Sequence, residues 1–286
     1  MSATQKVSGQ ERFAASAGTC RSRAARWLAA TLCAAALMPA QAAEGYAFWD
    51  TFDAALIDAR LWLGTERHRM RQDGALRFVQ RDLGLQISDA GTLNSSWDAK
   101  LKNPAAIQQM RAVVSVSAHE LTGCATNPSP SFVQARLFGS FFNVGAVAPD
   151  SRIGDVIALL RLVRYSNSVD PAGTLRAEAT LLQCTTSDCN YDSIVLGLAD
   201  LGPAASGEAV TLKFDWEPAA KRFNFTRGSN PVVRLPYSVS DAQPPFGLFR
   251  QIGTRTNLAH CRSGTRTAGL IDAKFDNISV NASAAP

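Results

Sequence analysis

The sequence predicts an all-β sandwich of antiparallel strands, and three observations lead to that prediction. From residue 44 onward, apolar and polar residues alternate with a period of two, and turn residues interrupt the alternation every 8 to 15 positions. No stretch shows the 3.6-residue period of a long amphipathic helix. The composition, 46% hydrophobic and 19% charged residues in a chain of 286, supplies enough apolar side chains for a core.

The first 42 residues have the layout of a secretory signal peptide. Arg21, Arg23 and Arg26 precede an uncharged, alanine-rich stretch over 27–43, which contains the small-residue segment Pro39-Ala-Gln-Ala42. We therefore predict cleavage after Ala42, with a retained membrane anchor as the alternative. The predicted organisation is a signal peptide over 1–42 and a single sandwich domain over 43–286, in a secreted or periplasmic protein.

The charge of the chain excludes one class of partner. The formal net charge is +5, but residues 1–42 hold five of the 29 basic residues and one of the 24 acidic ones. The predicted mature chain therefore carries 24 basic and 23 acidic residues and gives no electrostatic reason to bind nucleic acid. It also has no apolar run long enough to span a membrane once the signal is removed.

Four cysteines remain after residue 42, and an even number in an exported chain predicts two disulfides. Cys184 and Cys189 enclose four residues, so we favour a tight loop closed by these two and a long-range bridge between Cys124 and Cys261. The other two pairings stay open at this point. The alternative is a zinc site built from Cys124, His119, His260 and Cys261, although the spacings of these residues in the sequence match no known zinc pattern.

The strands are predicted from the alternation, element by element. The clearest pair is a hairpin over 210–217 and 222–226, in which Val210, Leu212, Phe214 and Trp216 share one face. Trp97 is expected in an exposed loop. Short helical turns are predicted over 54–60 and 103–108. The remaining predicted strands cover residues 74–80, 83–88, 108–118, 132–143, 157–165, 175–184, 193–198 and 270–280.

Motifs at the two ends of the predicted mature chain resemble one superfamily. The opening Phe48-Trp-Asp-Thr-Phe-Asp53, followed by Leu56-Ile-Asp58 and Leu61-Trp62, resembles the entry of the concanavalin A-like lectin and glucanase superfamily. The closing run 268–280, with Phe275-Asp-Asn-Ile278, resembles the last strand of that superfamily, which pairs beside the first. The resemblance implies a two-sheet antiparallel jelly roll that holds glycans across its concave sheet, but fold alone does not give the function.

The resemblance also implies a structural calcium site. In this superfamily the ion lies on the convex side, where the first and last strands meet. Asp276 and Asp53 are the carboxylates of this chain that we expect to contribute hard oxygen ligands. The alternative is that Asp276 caps a turn or pairs with an arginine.

The motifs of the known catalytic families are missing. The Glu-x-Asp-x-(x)-Glu triad of the retaining glucanases is absent, and the nearest pair, Asp215 and Glu217, lies on the predicted wet face of the hairpin. Alginate lyase signatures are absent as well, because Gln251-Ile-Gly253 has glycine where those enzymes have histidine. No nucleophile elbow is present, and we expect structural roles for the histidines His68, His119 and His260.

A glycan site needs aromatic faces and planar polar groups on rigid strands. Three predicted strands in the middle of the chain carry such groups at alternate positions, so adjacent strands would form one polar patch: Gln134, Arg136, Arg161, Tyr165, Arg176 and Glu178. We therefore predict an exported, non-catalytic carbohydrate-binding domain. The alternatives are an atypical polysaccharide glycosidase or lyase, acting through Asp215, Glu217, Glu178 or Arg136, and a structural or adhesive surface domain.

Overall fold

The computed structural model describes residues 45–54, 56–63, 70–145, 151–189 and 193–286. The predicted signal peptide and His68 lie outside these residues. In chain order, the strands are β1 (Tyr46–Asp50), β2 (Trp62–Leu63), β3 (Met70–Gln72), β4 (Ala75–Leu83), β5 (Thr92–Leu101), β6 (Gln109–Leu121), β7 (Phe132–Asn143), β8 (Asp155–Tyr165), β9 (Thr174–Cys184), β10 (Ser193–Ala205), β11 (Val210–Glu217), β12 (Arg222–Arg227), β13 (Val233–Pro236), β14 (Arg250–Ala259) and β15 (Ala268–Asn281).

These strands form two antiparallel sheets, which confirms the predicted sandwich. The eight-stranded sheet has the order β13-β12-β11-β6-β15-β4-β3, with β1 also paired to β15. The seven-stranded sheet has the order β10-β9-β8-β7-β14-β5-β2. Short 3-10 turns occur over Pro104–Ala106, Pro218–Ala220 and Ala282–Ala284. None of the helical segments in the described residues has the length and apolar character needed to cross a membrane.

The core lies between the inner faces of the two sheets. On β7, Val133, Ala135 and Leu137 point inward and are fully buried, and the predicted hairpin contributes its apolar face from β11 and β12. The ring of Phe141 packs edge-on against Phe223 with centroids 4.9 Å apart. Burying aromatic and aliphatic side chains of this size stabilises the fold by roughly 1.5–3 kcal/mol each.

A buried arginine links three parts of the core. Arg250 at the start of β14 is 1% exposed, and its guanidinium lies 3.6 Å from the centroid of the Phe141 ring. Its Nε donates to the carbonyl of Ile107 at 2.8 Å, and its Nη1 donates to the carbonyls of Phe249 and Ser140. Burial lowers the pKa of Arg250 to about 9, so the group stays charged at neutral pH.

The opening and closing motifs pair with each other, as predicted. β1 pairs antiparallel with the end of β15, and Tyr46 lies opposite Asn281. β15 itself runs between β4 and β6 in the eight-stranded sheet. The favoured disulfide pairing is present as well. Cys184 pairs with Cys189 and Cys124 with Cys261, at Cα–Cα distances of 4.9 and 5.5 Å, which excludes these cysteines as zinc ligands.

Four predictions for local structure were wrong or incomplete. Residues 84–88 form no strand, because β4 continues to Leu83 and ends there. Strands β5 and β14 were not predicted. Trp97 is half-buried on β5 against the core rather than in an exposed loop. The described residues of 54–60 form bends and a turn instead of a helix, because the backbone N–H of Trp62 closes the turn on Asp58.

Candidate functional site

The outer face of the seven-stranded sheet brings most of the predicted site residues together. β7, β8 and β9 are neighbours, and their register sets Arg136 beside Arg161 and Arg161 beside Glu178. On the other side of β7, Arg136 lies opposite Gly253 of β14. Because side chains alternate along a strand, this row of charged groups faces away from the core.

Arg161 is the centre of a four-residue hydrogen-bond network. It donates to Gln134 Oε1 at 2.7 Å, to the Tyr165 hydroxyl at 2.6 Å and to Glu178 Oε2 at 2.8 Å. The Tyr165 hydroxyl also lies 3.1 Å from Glu178 Oε2. Burial of the phenol and the charge of Glu178 raise the pKa of Tyr165 to about 12, although Arg161 opposes the shift. Tyr165 is therefore a hydrogen-bonding group rather than a base at neutral pH.

Arg136 forms an ion pair that crosses an intervening strand. Its Nη2 lies 3.1 Å from Asp98 Oδ1 on β5, although β14 runs between β7 and β5. Gly253 of β14 makes this contact feasible. A Cβ atom at that position would lie 2.2 Å from the Trp97 carbonyl and 2.5 Å from Asp98 Oδ1. The guanidinium of Arg136 also stacks 3.8 Å from the centroid of the Phe138 ring.

Arg176 lies outside this network. It is on the same face of β9 as Glu178, but its guanidinium pairs with Asp170 at 2.5 Å and with Asp200 at 2.9 Å. The side-chain bond from Arg176 lowers the pKa of Asp170 to about 2. Of the six predicted binding residues, the structure therefore groups five and leaves Arg176 in a separate ion-pair cluster.

A cleft of about 450 Å³ opens on the same face. One part of its lining is apolar, where Phe138 packs edge-on against Phe249 with centroids 5.3 Å apart. The Cys184–Cys189 disulfide closes the apolar cluster behind them. The rest of this apolar lining comes from Ile157, Leu159 and Leu182. A surface of this kind beside planar polar groups suits a small ring with one apolar face.

The charged part of the cleft lining is mostly cationic. In the described residues its one carboxylate is Asp98, and its four cations are Lys100, Arg136, Arg152 and Arg255. Arg255 donates to Asn94 Oδ1 at 2.7 Å. Burial, together with the charges of Arg136 and Arg161, lowers the pKa of Arg255 to about 10.

The loop over 241–249 is anchored at the end of the cleft by a buried carboxylate. Asp155 is fully buried and accepts hydrogen bonds from the backbone N–H groups of Phe246 at 2.8 Å and Gly247 at 2.9 Å. Its third partner is Asn143 Nδ2 at 2.9 Å. These bonds hold the segment that carries Phe249 into the cleft.

The alternative catalytic residues are divided between the two faces of the sandwich. Asp215 and Glu217 lie on the outer face of the eight-stranded sheet, whereas Glu178 and Arg136 lie on the outer face of the seven-stranded sheet. Glu217 pairs with Arg222 at 2.6 Å, and Asp215 accepts a hydrogen bond from the Tyr46 hydroxyl. Asp215 is half-buried, so the expected wet face of the hairpin is partly covered by β1.

Replacing Asp215 with asparagine should stabilise the protein at neutral pH. Burial raises the pKa of Asp215 above its ordinary 3.8, so the folded state binds this proton more readily than the unfolded state. Stability therefore falls as pH rises through the window above 3.8, and the full penalty is present at pH 7. Asparagine can still accept the bond from Tyr46. The variant should melt higher than wild type at pH 7, and the difference should vanish below about pH 4.

A matched control for that variant is Asp73→Asn, at a carboxylate whose side chain is 72% exposed. We expect it to change stability by less than about 0.5 kcal/mol at either pH. A melting temperature for Asp215→Asn that lies below wild type at pH 7 would contradict the buried-charge account.

The predicted calcium ligands are close enough for the charge of Asp53 to act on Asp276. Burial raises the pKa of Asp276, and the charge of Asp53 adds to the shift. Asp276 already accepts hydrogen bonds from the backbone and side-chain nitrogens of Asn277 at 2.6 and 2.8 Å. The one group of three potential metal ligands in the described residues is elsewhere, at Asp89, Cys124 and Cys261, and two of these form a disulfide. Carbonyl or water oxygens would have to complete a calcium site at Asp53 and Asp276.

The two histidines in the described residues, His119 and His260, have structural surroundings. His119 Nδ1 lies 3.1 Å from the Ser206 hydroxyl, and burial lowers the pKa of His119. The carbonyl of His260 accepts a hydrogen bond from Asn127 Nδ2 at 2.9 Å, beside the Cys124–Cys261 bridge. Neither contact places a carboxylate beside the imidazole, as a Ser-His-Asp triad would require.

Of the described cleft lining, sequence reasoning identified Arg136 as a binding residue and missed, among others, four residues: Asp98, Lys100, Phe249 and Arg255. Three of them lie on β5 and β14, the strands that were not predicted. A period-two pattern of polar residues at Ser96, Asp98 and Lys100 was the available signal for the outward face of β5.

No protein-family profile matches this chain, and no curated protein matches it in sequence. Solved structures that match it in the arrangement of strands include a carrageenase and laminarinases, each at 12% identity or less. The κ-carrageenase of Pseudoalteromonas carrageenovora, solved with a κ-carrageenan oligotetrasaccharide, is 8% identical with a TM-score of 0.41, over 85% of this chain and 100% of that one.

Two further neighbours also have low sequence identity to this chain. The catalytic domain of an endo-1,3-β-glucanase (laminarinase) from Thermotoga petrophila is 12% identical with a TM-score of 0.42, covering 84% of this chain and 99% of that one. A GlcNAcα1-4Gal-releasing endo-β-galactosidase from Clostridium perfringens is 11% identical with a TM-score of 0.38, covering 85% and 64%. Likeness at this level concerns the arrangement of strands and carries no statement about chemistry.

Proposed function

We propose that this protein is an exported, non-catalytic glycan-binding domain and that its ligand lies in the cleft of the seven-stranded sheet. The observation that carries the proposal is the juxtaposition of an aromatic and aliphatic surface with planar hydrogen-bonding groups on rigid strands. The half-buried ring of Phe249, which packs against the buried Phe138, takes the apolar face of a sugar ring. The network around Arg161 supplies donors and acceptors for hydroxyl groups beside it.

The proposal includes no catalysis because the carboxylates in and beside the cleft are held in ion pairs with arginines. A retaining glycosidase needs two carboxyl groups about 5 Å apart, one of them available as an acid. In the described part of the cleft and its adjoining network, Asp98 is paired with Arg136 and Glu178 with Arg161. A lyase would need a base at neutral pH, and the raised pKa of Tyr165 does not provide one.

Truncating Phe249 tests this proposal. In a glycan-array screen of the purified protein, followed by titration with the best ligand, Phe249→Ala should weaken binding at least tenfold, because it removes the stacking surface. The matched control is Phe48→Ala, at a phenylalanine that is 56% exposed on β1 of the other sheet, and it should bind like wild type. Sugar products detected by mass spectrometry after incubation would overturn the non-catalytic part and favour the glycosidase or lyase alternative.

Calcium at Asp53 and Asp276 stays a prediction. If the ion binds there, the melting temperature should rise in millimolar calcium, fall with chelator, and lose this dependence in Asp276→Asn. Because Asp53 follows the first strand and Asp276 is on the last strand, away from the cleft residues, glycan binding at a temperature well below melting should not depend on the ion. Melting temperatures that are equal with calcium and with chelator would exclude the site.

A further inference from the structure

The cleft carries more positive charge than its own carboxylates neutralise. Arg136 is balanced by Asp98 at 3.1 Å, and Arg152 lies 3.9 Å from the buried Asp155. Arg255 and Lys100 have no carboxylate within ion-pair distance in the described residues. A cation without a counter-ion in a partly desolvated site is unfavourable, so a ligand that brings negative charge gains binding free energy there.

Several buried polar atoms of the cleft also have no partner among the described residues. They are Arg136 Nε, Arg152 Nε, Arg255 Nε and Gln251 Oε1, and the residues Arg136 and Gln251 are 5% and 6% exposed. Buried polar groups in folded proteins are normally hydrogen-bonded. Three of these four atoms are guanidinium donors, and planar guanidinium groups bind carboxylate and sulfate oxygens in a two-pronged geometry.

The cation and the apolar surface line the same cleft. Gln251 and Arg255 are four residues apart on β14, roughly 14 Å along the strand, and point to the same face, and Gln251 lies opposite Phe138 in the register of β7. A glycan with one ring at Phe249 and a second ring further along the cleft would therefore bring the substituents of the second ring to Arg255. The exposed side chain of Lys100, opposite Gln251 on β5, lies on the same side.

From these contacts we propose that the cleft selects acidic glycans and that Arg255 is the residue that binds the carboxylate or sulfate group of the sugar. This proposal rests on the proposed glycan-binding function and adds the chemical class of the ligand to it. Asp98 is the carboxylate of the described cleft lining, and its ion pair with Arg136 offsets the repulsion that it would exert on an anionic ligand. Asn94 positions Arg255, because Asn94 Oδ1 accepts a hydrogen bond from Arg255 Nη2.

The test compares three oligosaccharides of equal length by isothermal titration: an oligogalacturonate, a sulfated oligogalactan and the neutral oligogalactan. Wild type should bind at least one of the two acidic probes tenfold or more tightly than the neutral one, and this preference should weaken from 50 to 300 mM NaCl. The acidic probe that binds identifies carboxylate or sulfate as the group recognised. Arg255→Gln should lose at least tenfold in affinity for the acidic probe and leave the neutral probe unchanged.

The matched control is Arg234→Gln, which removes the same charge from an exposed arginine on β13 of the other sheet and should bind like wild type. Melting temperature separates a ligand-binding role for Arg255 from a structural one. Since Arg255 is half-buried without a carboxylate partner among the described residues, Arg255→Gln should melt no lower than wild type. Equal losses of affinity for the acidic probe in Arg255→Gln and Arg234→Gln, or a neutral probe bound as tightly as the acidic ones, would overturn the charge selection alone. If none of the three probes and no glycan on the array binds, both the charge selection and the proposed glycan-binding function are wrong.

Discussion

Replacing both Cys124 and Cys261 by alanine should lower the free energy of unfolding by about 5 kcal/mol. The bridge joins residues 137 positions apart, and a cross-link that closes so long a loop removes a large part of the conformational freedom of the unfolded chain. A loss of this size is comparable to the whole stability of many domains. Urea unfolding of wild type and variant, both without reductant, measures the difference.

The Cys184–Cys189 bridge provides the internal control for that experiment. It closes a loop of sequence separation 5, so its removal by the same pair of alanine substitutions should cost only about 2 kcal/mol. Its effect should appear instead in the cleft, because the two cysteines pack with Phe138, Ile157 and Leu159. Equal losses of stability from the two double variants would contradict the loop-length account.

Replacing Arg250 by methionine should destabilise the protein by about 3 kcal/mol. Methionine fills a similar volume and removes a buried charge, which alone would favour the variant. It also removes the side-chain donor to the carbonyls of Ile107 and Ser140, whereas the carbonyl of Phe249 keeps the backbone N–H of Ser140 as a partner. Each buried carbonyl that loses its partner costs about 1–3 kcal/mol, so the lost hydrogen bonds outweigh the relief of the charge.

The readout is the urea midpoint at constant slope, with Arg234→Met as the exposed-site control. Arg250→Lys should recover only part of the loss, since an ammonium group cannot reproduce the planar geometry of three carbonyl contacts. An Arg250→Met variant as stable as wild type would show that these carbonyls find other donors, and the linking role of Arg250 would then be wrong.

The parts of the fold that could be predicted from the sequence are those in which one face of a strand is apolar. The hairpin of β11 and β12 and the strands β7, β8 and β9 have apolar inner faces, so the period of two was visible in them. β5 and β14 lack that contrast. On β14, the inward side chains of Thr254 and Thr256 are polar although fully buried, so both faces look alike in the sequence.

The candidate site was predictable only in part for the same reason. Its three central strands could be recognised, so the alternation of residues along them was enough to identify Gln134, Arg161, Tyr165 and Glu178. The contact of Arg136 with Asp98 depends on β14, which comes from near the end of the chain and inserts between two earlier strands. No local pattern reports such an insertion, and without it neither Asp98 nor Arg255 could be assigned to the site.

The position of β15 also determines when the protein can fold. β15 follows every other strand in the chain, yet it occupies the middle of the eight-stranded sheet, where it pairs with β1, β4 and β6 from the first half of the sequence. During synthesis, β4 can pair with β3 and β6 with β11, but the other edge of each, and β1, stay unpaired until β15 has been made. The nascent chain therefore presents open strand edges to other chains for most of its synthesis, and its folding rate is limited by a long-range closure step.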